Sequence, residues 1–228
     1  MTVADRYRYI KDDVISAAEY YGRNPNEIAL VAVSKGSSWR EACAAYHAGC
    51  RDFGESRVQE ALTKIAEAPE DVCWHFVGHL QKNKISKILG KCALIHSVDT
   101  FELAAKISEL SVRAAIETSL LLEVNVSGEA AKQGLSKEEW RRCFEAILKL
   151  PAIHVKGLMT MAPLTRDEGV VRRCFAGLRE FRDELIAKNG LHIDSMRHLS
   201  MGMSNDYRLA IAEGATLLRV GTAIFSKR

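Results

Sequence analysis

The chain has 228 residues, of which 47% are hydrophobic and 27% are charged. This composition is that of an ordinary globular protein and excludes disordered, collagen-like and coiled-coil classes. A net charge of +3 is too small to predict binding to nucleic acid or a membrane, so we expect neither partner. No apolar run approaches the roughly 18 residues of a membrane span, and residues 1–13 lack the apolar core of a signal peptide. We therefore expect a cytoplasmic protein.

Short apolar runs alternate with longer amphipathic ones along the chain, which is the pattern of parallel strands joined by helices. The first amphipathic run predicts a helix near residues 3–21. Candidate strands follow at residues 29–34, 51–54, 73–78, 93–98, 120–126, 154–160, 196–200 and 217–221. Helical patterns between them cover residues 38–49, 57–68, 81–89, 101–110, 137–150, 166–189 and 205–213.

Eight strand-helix units in a chain of this length favour a closed (β/α)8 TIM barrel over an open doubly wound sheet. No linker or composition change marks a boundary, so we expect a single domain over residues 1–228. The N-terminal helix could cover the gap beside the last strand. Chemistry in such barrels lies at the carboxyl ends of the strands. The residues at those ends are Lys35, Glu55, His79, Asp99, Asn125, Met161, Met201 and Thr222.

Lys35 follows the apolar first strand directly. A lysine at this position is expected to be partly desolvated, and desolvation lowers a lysine pKa because the charged form loses its hydration. The resulting free amine could attack an aldehyde and form an imine. A solvated or ion-paired lysine at a strand end is the alternative.

Two motifs near the carboxyl end of the chain point to a phosphate site. Gly202 permits close approach of the backbone, and Ser204 is a natural N-cap for the helix that follows. In the last motif, Arg219 and Gly221 lie on the same side of a strand, and Thr222 adds a hydroxyl. The loops after strands seven and eight of such barrels often bind phosphate. Plain helix capping, and an arginine paired with a carboxylate, are the alternatives.

The remaining candidates have ordinary explanations. His75 and His79 are four residues apart on a predicted strand rather than on a helix, so we do not expect a metal site. The basic residues 82–87 form a solvated helix face, with an interaction surface as the alternative. The six cysteines form no CxxC pair and are expected to be buried free thiols.

Seven segments, in order, resemble the pyridoxal phosphate homeostasis protein family, also called the proline synthetase co-transcribed family. They are VAVSK at 31–35, FGESRVQEA at 53–61, WHFVGHLQKNK at 74–84, IHSVD at 95–99, GLMTMAP at 157–163, LSMGMSNDYRLAI at 199–211 and RVGTAIF at 219–225. The match spans residues 30–225, and so long a series of ordered motifs is highly specific.

The resemblance implies a barrel like the N-terminal domain of alanine racemase, holding pyridoxal 5′-phosphate (PLP) as an internal aldimine. It implies that Lys35 is the Schiff-base lysine and that Arg219 faces the pyridine nitrogen. A permanently charged arginine keeps that nitrogen unprotonated, which weakens the ring as an electron sink. The residues that it implies for the phosphate cup are Ser200, Ser204, Gly221 and Thr222.

The sequence departs from the family pattern in two places. The family usually has FGEN where this chain has FGES, so Ser56 replaces an asparagine. Lys35 is followed by Gly36, Ser37 and Ser38 instead of a threonine, a charged residue and proline, and we expect this loop to be more mobile.

The resemblance implies intracellular PLP homeostasis, in which the protein stores or delivers the cofactor without strong catalysis of its own. PLP-dependent apoenzymes are then the expected recipients. The alternative is a weakly active amino-acid racemase of the same barrel class. Racemisation by two bases needs a group on each face of the α-carbon, and we expect no second domain that could supply one. A third possibility is an interaction module using residues 82–87. No sequence feature indicates an interface between subunits, so we expect a monomer.

Overall fold

The computed structural model describes residues 1–129 and 132–226, so residues 130–131 and 227–228 of the predicted domain lie outside the described residues. Eight parallel strands pair in sequence order, and β8 closes onto β1. The predicted (β/α)8 barrel is thereby confirmed. The strands are β1 Ala29–Val33, β2 Asp52–Glu55, β3 Cys73–Phe76, β4 Leu94–Val98, β5 Thr118–Glu123, β6 Ile153–Met159, β7 His198–Ser200 and β8 Leu217–Val220.

Helices surround the barrel. They are α1 Val3–Tyr20, α2 Trp39–His47, α3 Val58–Glu67, α4 Ile85–Ile88, α5 Phe101–Ala114, α6 Lys137–Leu148, α7 Glu168–Lys188, α8 Tyr207–Ala212 and α9 Thr222–Phe225. The helix expected at the N-terminus is α1, which packs against α2, α8 and α9. It therefore covers the seam where β8 meets β1. Within the described residues, no helix is both long and apolar enough to cross a membrane.

Successive side chains of each strand point alternately into the barrel and toward the helices. One buried cluster fills the middle of the interior and is made of Val31, Val33, Leu94, Leu121, Met159 and Leu217. A much larger cluster lies between the strands and the helices. The apolar cluster shares the interior with several buried polar side chains, among them His75, His96 and Ser200.

Several predicted boundaries were wrong. Strand β5 begins at Thr118, two residues before the predicted start, and ends at Glu123. The single helix expected over residues 81–89 is a short 3-10 turn, Lys82–Lys84, followed by α4. The last strand ends at Val220 because the chain turns there into α9, a single helical turn that the sequence did not reveal.

Candidate functional site

A cavity of about 280 Å³ opens at the carboxyl ends of the strands. It is formed by the ends of β1, β3 and β8 and by the loops after β2, β6 and β7. Its lining includes five of the six residues predicted for the cofactor site. These are Lys35, Ser204, Arg219, Gly221 and Thr222.

Lys35 enters the cavity from the end of β1. By strand alternation it points to the same side as Val31 and Val33, into the mouth of the barrel. The expected desolvation of Lys35 is wrong, since the residue is exposed. Its Nζ atom forms no hydrogen bond or ion pair with any residue in the described part of the chain. The amine is therefore accessible and unpaired.

Arg219 reaches the cavity from β8, although 95% of its surface is buried, since its relative exposure is only 5%. Its Nη1 donates to Ser200 Oγ (2.6 Å) and its Nη2 donates to the carbonyl oxygen of Thr160 (2.9 Å). No ion pair joins Arg219 to a carboxylate within the described residues, so the alternative of a carboxylate-paired arginine is wrong. Burial lowers the pKa of Arg219 to about 10, while Glu123 and Asp206 oppose this shift. The guanidinium stays charged at neutral pH.

Gly221 and Thr222 form a turn between β8 and α9 at the rim of the cavity. Their backbone N–H groups donate to no atom of residues 1–129 or 132–226. A Cβ atom at position 221 would lie 3.0 Å from the carbonyl oxygen of Val33, so only glycine fits there without displacing β1. Two backbone donors without a described partner and the Thr222 hydroxyl thus belong to residues that line the cavity.

The loop from Gly202 to Asp206 forms the opposite part of the rim. Ser204 is not the N-cap predicted for the following helix, because α8 begins at Tyr207 with Asp206 as its N-cap. Instead, Ser204 Oγ accepts a hydrogen bond from the Ala223 backbone N–H (3.2 Å). This bond joins the loop to the first turn of α9. The loop and the turn therefore form one cup of donors, to which Ser204 contributes a hydroxyl.

Ser200 lies outside the cavity lining and is fully buried in β7. Its hydroxyl contacts Arg219 and His96 (2.8 Å from Nδ1) rather than the cup. Of the other five predicted residues, Ser200 therefore contacts Arg219 but does not join the donor cup. Its position is behind the guanidinium.

Other residues singled out in the sequence occupy different surroundings. Ser56 lines the cavity. Glu55, the expected strand-end residue, turns away and pairs with Lys64 in the layer between β2 and α3. His79 Nδ1 lies 3.2 Å from Asp99 Oδ2. His79 and Lys84 both line another depression on the surface.

Sequence reasoning did not group four polar residues of the barrel interior, although it had considered His75 by itself. His75, His96 and Asp52 are hydrogen-bonded to one another, and Glu123 is buried at the end of β5. Single polar residues on four separate strands carry no recognisable spacing. Alternation with apolar neighbours inside a closed barrel was the one signal that could have grouped them.

All six cysteines are free, as predicted, but only Cys50 and Cys174 are fully buried. None of the six lines the cavity. Burial raises the pKa of Cys50 and Cys92 to about 12 and that of Cys73 to about 11. These three thiols are therefore protonated and poorly nucleophilic at neutral pH.

The residues present fit PLP. An accessible amine matches its aldehyde, a cup of backbone and hydroxyl donors at a helix start matches its phosphate, and a buried arginine matches its unprotonated ring nitrogen. The tight approach of Gly221 to β1 keeps the cup free of a side chain.

Comparisons with known proteins agree with this chemistry. The family model for the alanine racemase N-terminal domain matches residues 23–228. A pyridoxal phosphate homeostasis protein of Aquifex aeolicus is 39% identical over 229 residues, covering 100% of this chain and 99% of that protein. One from Pseudomonas aeruginosa is 39% identical over 228 residues, covering 100% and 96%.

A solved structure extends the comparison to three dimensions. It is PipY of Synechococcus elongatus with PLP bound, which is 34% identical with a TM-score of 0.83, covering 99% of this chain and 100% of that chain. The chain belongs to the pyridoxal phosphate homeostasis protein family, within the proteins that share the alanine racemase N-terminal domain.

Proposed function

We propose that this protein binds PLP in the cavity at the mouth of the barrel, holds it through Lys35 and serves as an intracellular store and donor of the cofactor. The observation that carries the proposal is the unpaired amine of Lys35, in one cavity with the buried guanidinium of Arg219 and the donor cup at residues 204 and 221–222. The names of its relatives and the PLP-bound structure of PipY support it.

The chemistry assigned to Lys35 is reversible. Its Nζ attacks the aldehyde carbon, a carbon–nitrogen double bond forms, and the aldehyde oxygen leaves as water. Addition of water reverses the reaction and releases the aldehyde intact. A reversible bond of this kind suits storage, since it masks a reactive aldehyde without consuming it.

The cup holds the phosphate and Arg219 faces the ring nitrogen. Arg219 cannot give up a proton at neutral pH, so the ring nitrogen accepts a hydrogen bond without becoming protonated. An unprotonated ring withdraws electrons weakly from a bound amine. This arrangement favours a carrier over an enzyme that forms carbanions.

Strong racemase activity is not part of the proposal. Besides Lys35 and Arg219, the titratable side chain in the described lining is Asp206, and its Oδ1 accepts from the Met203 backbone N–H. Exchange at an α-carbon needs a second base on the opposite face. Solvent deuterium entering the α-carbon of alanine with enzyme-like turnover would contradict this part of the proposal.

The Lys35 assignment is tested by absorption spectroscopy and mass spectrometry of the purified protein after addition of PLP. Wild type should be yellow, and borohydride should fix a reduced adduct on the peptide that contains Lys35. Lys35→Ala should lose both the visible band and the adduct. Lys82→Ala removes an exposed amine outside the cavity and should retain both. An unchanged band in Lys35→Ala would overturn the assignment.

Delivery is tested with a PLP-dependent apoenzyme. The loaded protein should restore the activity of the apoenzyme, and Lys35→Ala that has been incubated with PLP and desalted should not. Failure of the loaded wild type to restore activity would leave storage as the function and remove delivery. Action in the cytoplasm as a monomer, without nucleic acid, is part of the same proposal.

A further inference from the structure

A row of hydrogen-bonded side chains crosses the barrel interior beneath Arg219. From Arg219 on β8 it passes to Ser200 on β7, His96 on β4, His75 on β3 and Asp52 on β2. The successive distances are 2.6 Å from Nη1 to Oγ, 2.8 Å from Oγ to Nδ1, 2.9 Å from His96 Nε2 to His75 Nδ1 and 3.0 Å from His75 Nε2 to Oδ1. Because β4 and β7 are not neighbours in the sheet, the bond between Ser200 and His96 spans the interior.

The interior residues of this row are buried from solvent. Ser200 and His96 have no exposed surface, and His75 is 5% exposed. Asp52 ends the row at the opposite mouth of the barrel, where it lines a second and larger cavity. A buried polar group without a partner is strongly disfavoured, so the side-chain hydrogens of Ser200, His96 and His75 each need an acceptor.

Only one direction of hydrogen-bond donation gives every residue of the row a partner. Arg219 can only donate, so Ser200 Oγ accepts from it and keeps its own hydrogen for His96 Nδ1. His96 then carries its hydrogen on Nε2 and donates to His75 Nδ1. His75 in turn carries its hydrogen on Nε2 and donates to the carboxylate of Asp52. The row runs from a cation to an anion through two neutral imidazoles.

The reverse direction fails at both ends. It would place two donors on Ser200 Oγ and leave the serine hydrogen without an acceptor in the row. It would also set an unprotonated His75 Nε2 against a carboxylate oxygen. Burial, with His75 and Arg219 nearby, lowers the pKa of His96 well below its usual value, which agrees with a neutral ring between the two ends.

Two carboxylates compete for the guanidinium. Glu123 and Asp206 both attract Arg219 electrostatically, yet neither forms an ion pair with it in the described part of the chain. Ser200 and the Thr160 carbonyl hold Nη1 and Nη2 instead. An Arg219 freed from Ser200 would be drawn toward those carboxylates and away from the ring nitrogen.

We propose that Ser200, His96, His75 and Asp52 are positioning residues that fix Arg219 toward the cofactor through this directed row. The inference rests on the proposed function, because it gives Arg219 its orientation toward PLP. It reassigns Ser200 from contact with the phosphate to support of the arginine.

The direction of the row has a consequence for metal ions. Asp52, Cys73 and His75 could together supply ligand atoms, since these atoms lie within 4.8 Å of one another. A metal would need the lone pair of His75 Nε2, where the row places a hydrogen. We therefore assign His75 to the row and not to a metal site.

The hydrogen positions are tested by nitrogen-15 NMR of the imidazoles in the unliganded wild-type protein at neutral pH. His75 and His96 should both be neutral with the hydrogen on Nε2. A hydrogen on His96 Nδ1 would overturn the direction of the row and with it the inference. This measurement needs no variant and no cofactor.

The positioning role is tested by PLP titration of Ser200→Ala and Ser200→Thr. Ser200→Ala should bind PLP about tenfold more weakly and shift its visible absorption, and Ser200→Thr should restore both because it keeps the hydroxyl. Ser108→Ala removes another buried serine hydroxyl, which donates to the Pro151 carbonyl (2.6 Å) far from the cavity, and should bind PLP like wild type.

The outcomes separate the two proposals. Wild type that fails to bind PLP would overturn the proposed function. Wild type and Ser200→Ala that bind PLP with equal affinity and identical spectra would overturn the positioning role while leaving the proposed function intact. If Ser200→Ala and Ser108→Ala lost PLP affinity equally, the loss would reflect fold stability alone. That result would also overturn the positioning role of Ser200.

Discussion

Glu123 illustrates how single residues inside the barrel are tuned by burial. It is 2% exposed, and by strand alternation it points to the same side of β5 as Leu121, into the interior. Burial raises the pKa of Glu123 to about 7, Arg219 opposes the rise, and Asp99 adds to it. The carboxyl beside Arg219 therefore titrates near neutral pH.

The raised pKa couples this group to stability. The native state keeps the Glu123 proton up to about pH 7, whereas the unfolded chain releases it near pH 4.3, so this group lowers stability as the pH rises between these values. His96 and His198 act in the opposite direction. Burial lowers the pKa of His198 to about 4 and that of His96 well below normal, so each lowers stability as the pH falls below about 6.5.

Glu123→Gln should therefore make the loss of stability on acidification steeper. Without the opposing carboxyl, the free energy of unfolding should fall between pH 6.5 and pH 5 by about 1 kcal/mol per pH unit more than in wild type. Urea denaturation at several pH values measures this slope. Glu70→Gln, a change at an exposed glutamate, should run parallel to wild type, and equal slopes for all three proteins would refute the linkage.

At the scale of elements, the short helix α8 packs closely against the backbone at Gly202. Gly202 has φ of +91°, and a Cβ atom there would lie 2.6 Å from Ala210 Cβ and 3.0 Å from Tyr207 Cα. The loop that carries Ser204 thus begins with a backbone conformation and a close contact that only glycine allows. The geometry of the cup depends on both.

Gly202→Ala should lower the free energy of unfolding by about 3 kcal/mol, since left-handed strain and overpacking add. It should also weaken PLP binding, because the displaced loop carries Ser204. Gly190→Ala is the control: its φ is +61° and its Cβ would meet no atom within 4 Å, so a loss of about 1 kcal/mol is expected. Chemical denaturation compares the two, and equal losses would show that the contact with α8 is not tight.

The sequence predicted these elements well where hydrophobic patterning decides them. All eight strands were predicted in order because buried parallel strands are nearly continuous apolar runs. The start of β5 was missed because Thr118 and Ser119 are polar and precede the apolar run. The Thr118 hydroxyl is satisfied by Ser111 Oγ (2.8 Å) on α5. The end of β5 was overextended because Asn125, after an apolar run, turns the chain by accepting from the Gly128 N–H (2.9 Å).

The candidate site was predictable only in part. Lys35 and the turn at 221–222 follow strands directly, so their position at the mouth could be derived from the barrel itself. The burial of Ser200 could not, since its hydroxyl partners lie on other strands, at positions 96 and 219. Long-range pairing between single polar residues leaves no periodic signal in one sequence.

At the scale of the whole molecule, α1 ties the start of the described chain to the cofactor end. Asp13 accepts hydrogen bonds from the Tyr207 hydroxyl and from Arg208 Nε (2.8 Å), both on α8. Hydrogen bonds from Arg208 hold the pKa of Asp13 below its usual value. An element outside the barrel thereby supports the loop that shapes the cup.

Asp13→Ala should lower the free energy of unfolding by about 1 to 2 kcal/mol, because it leaves the Tyr207 hydroxyl unpaired, while the exposure of Arg208 limits its share. Asp12→Ala changes the neighbouring exposed carboxylate and should stay within about 0.5 kcal/mol of wild type. Thermal unfolding of the two variants measures this difference. Equal melting temperatures for both variants would show that Asp13 does not stabilise the contact between α1 and α8.

The placement of the cysteines bears on what the molecule can safely carry. Thiolates add reversibly to aldehydes, so an ionised thiol beside a bound aldehyde would compete with the lysine for it. Here the thiols lie away from the cavity, and the Cys50, Cys73 and Cys92 thiols are kept protonated by burial. The lysine at the mouth is thus left without a thiol in the cavity lining to compete for an aldehyde.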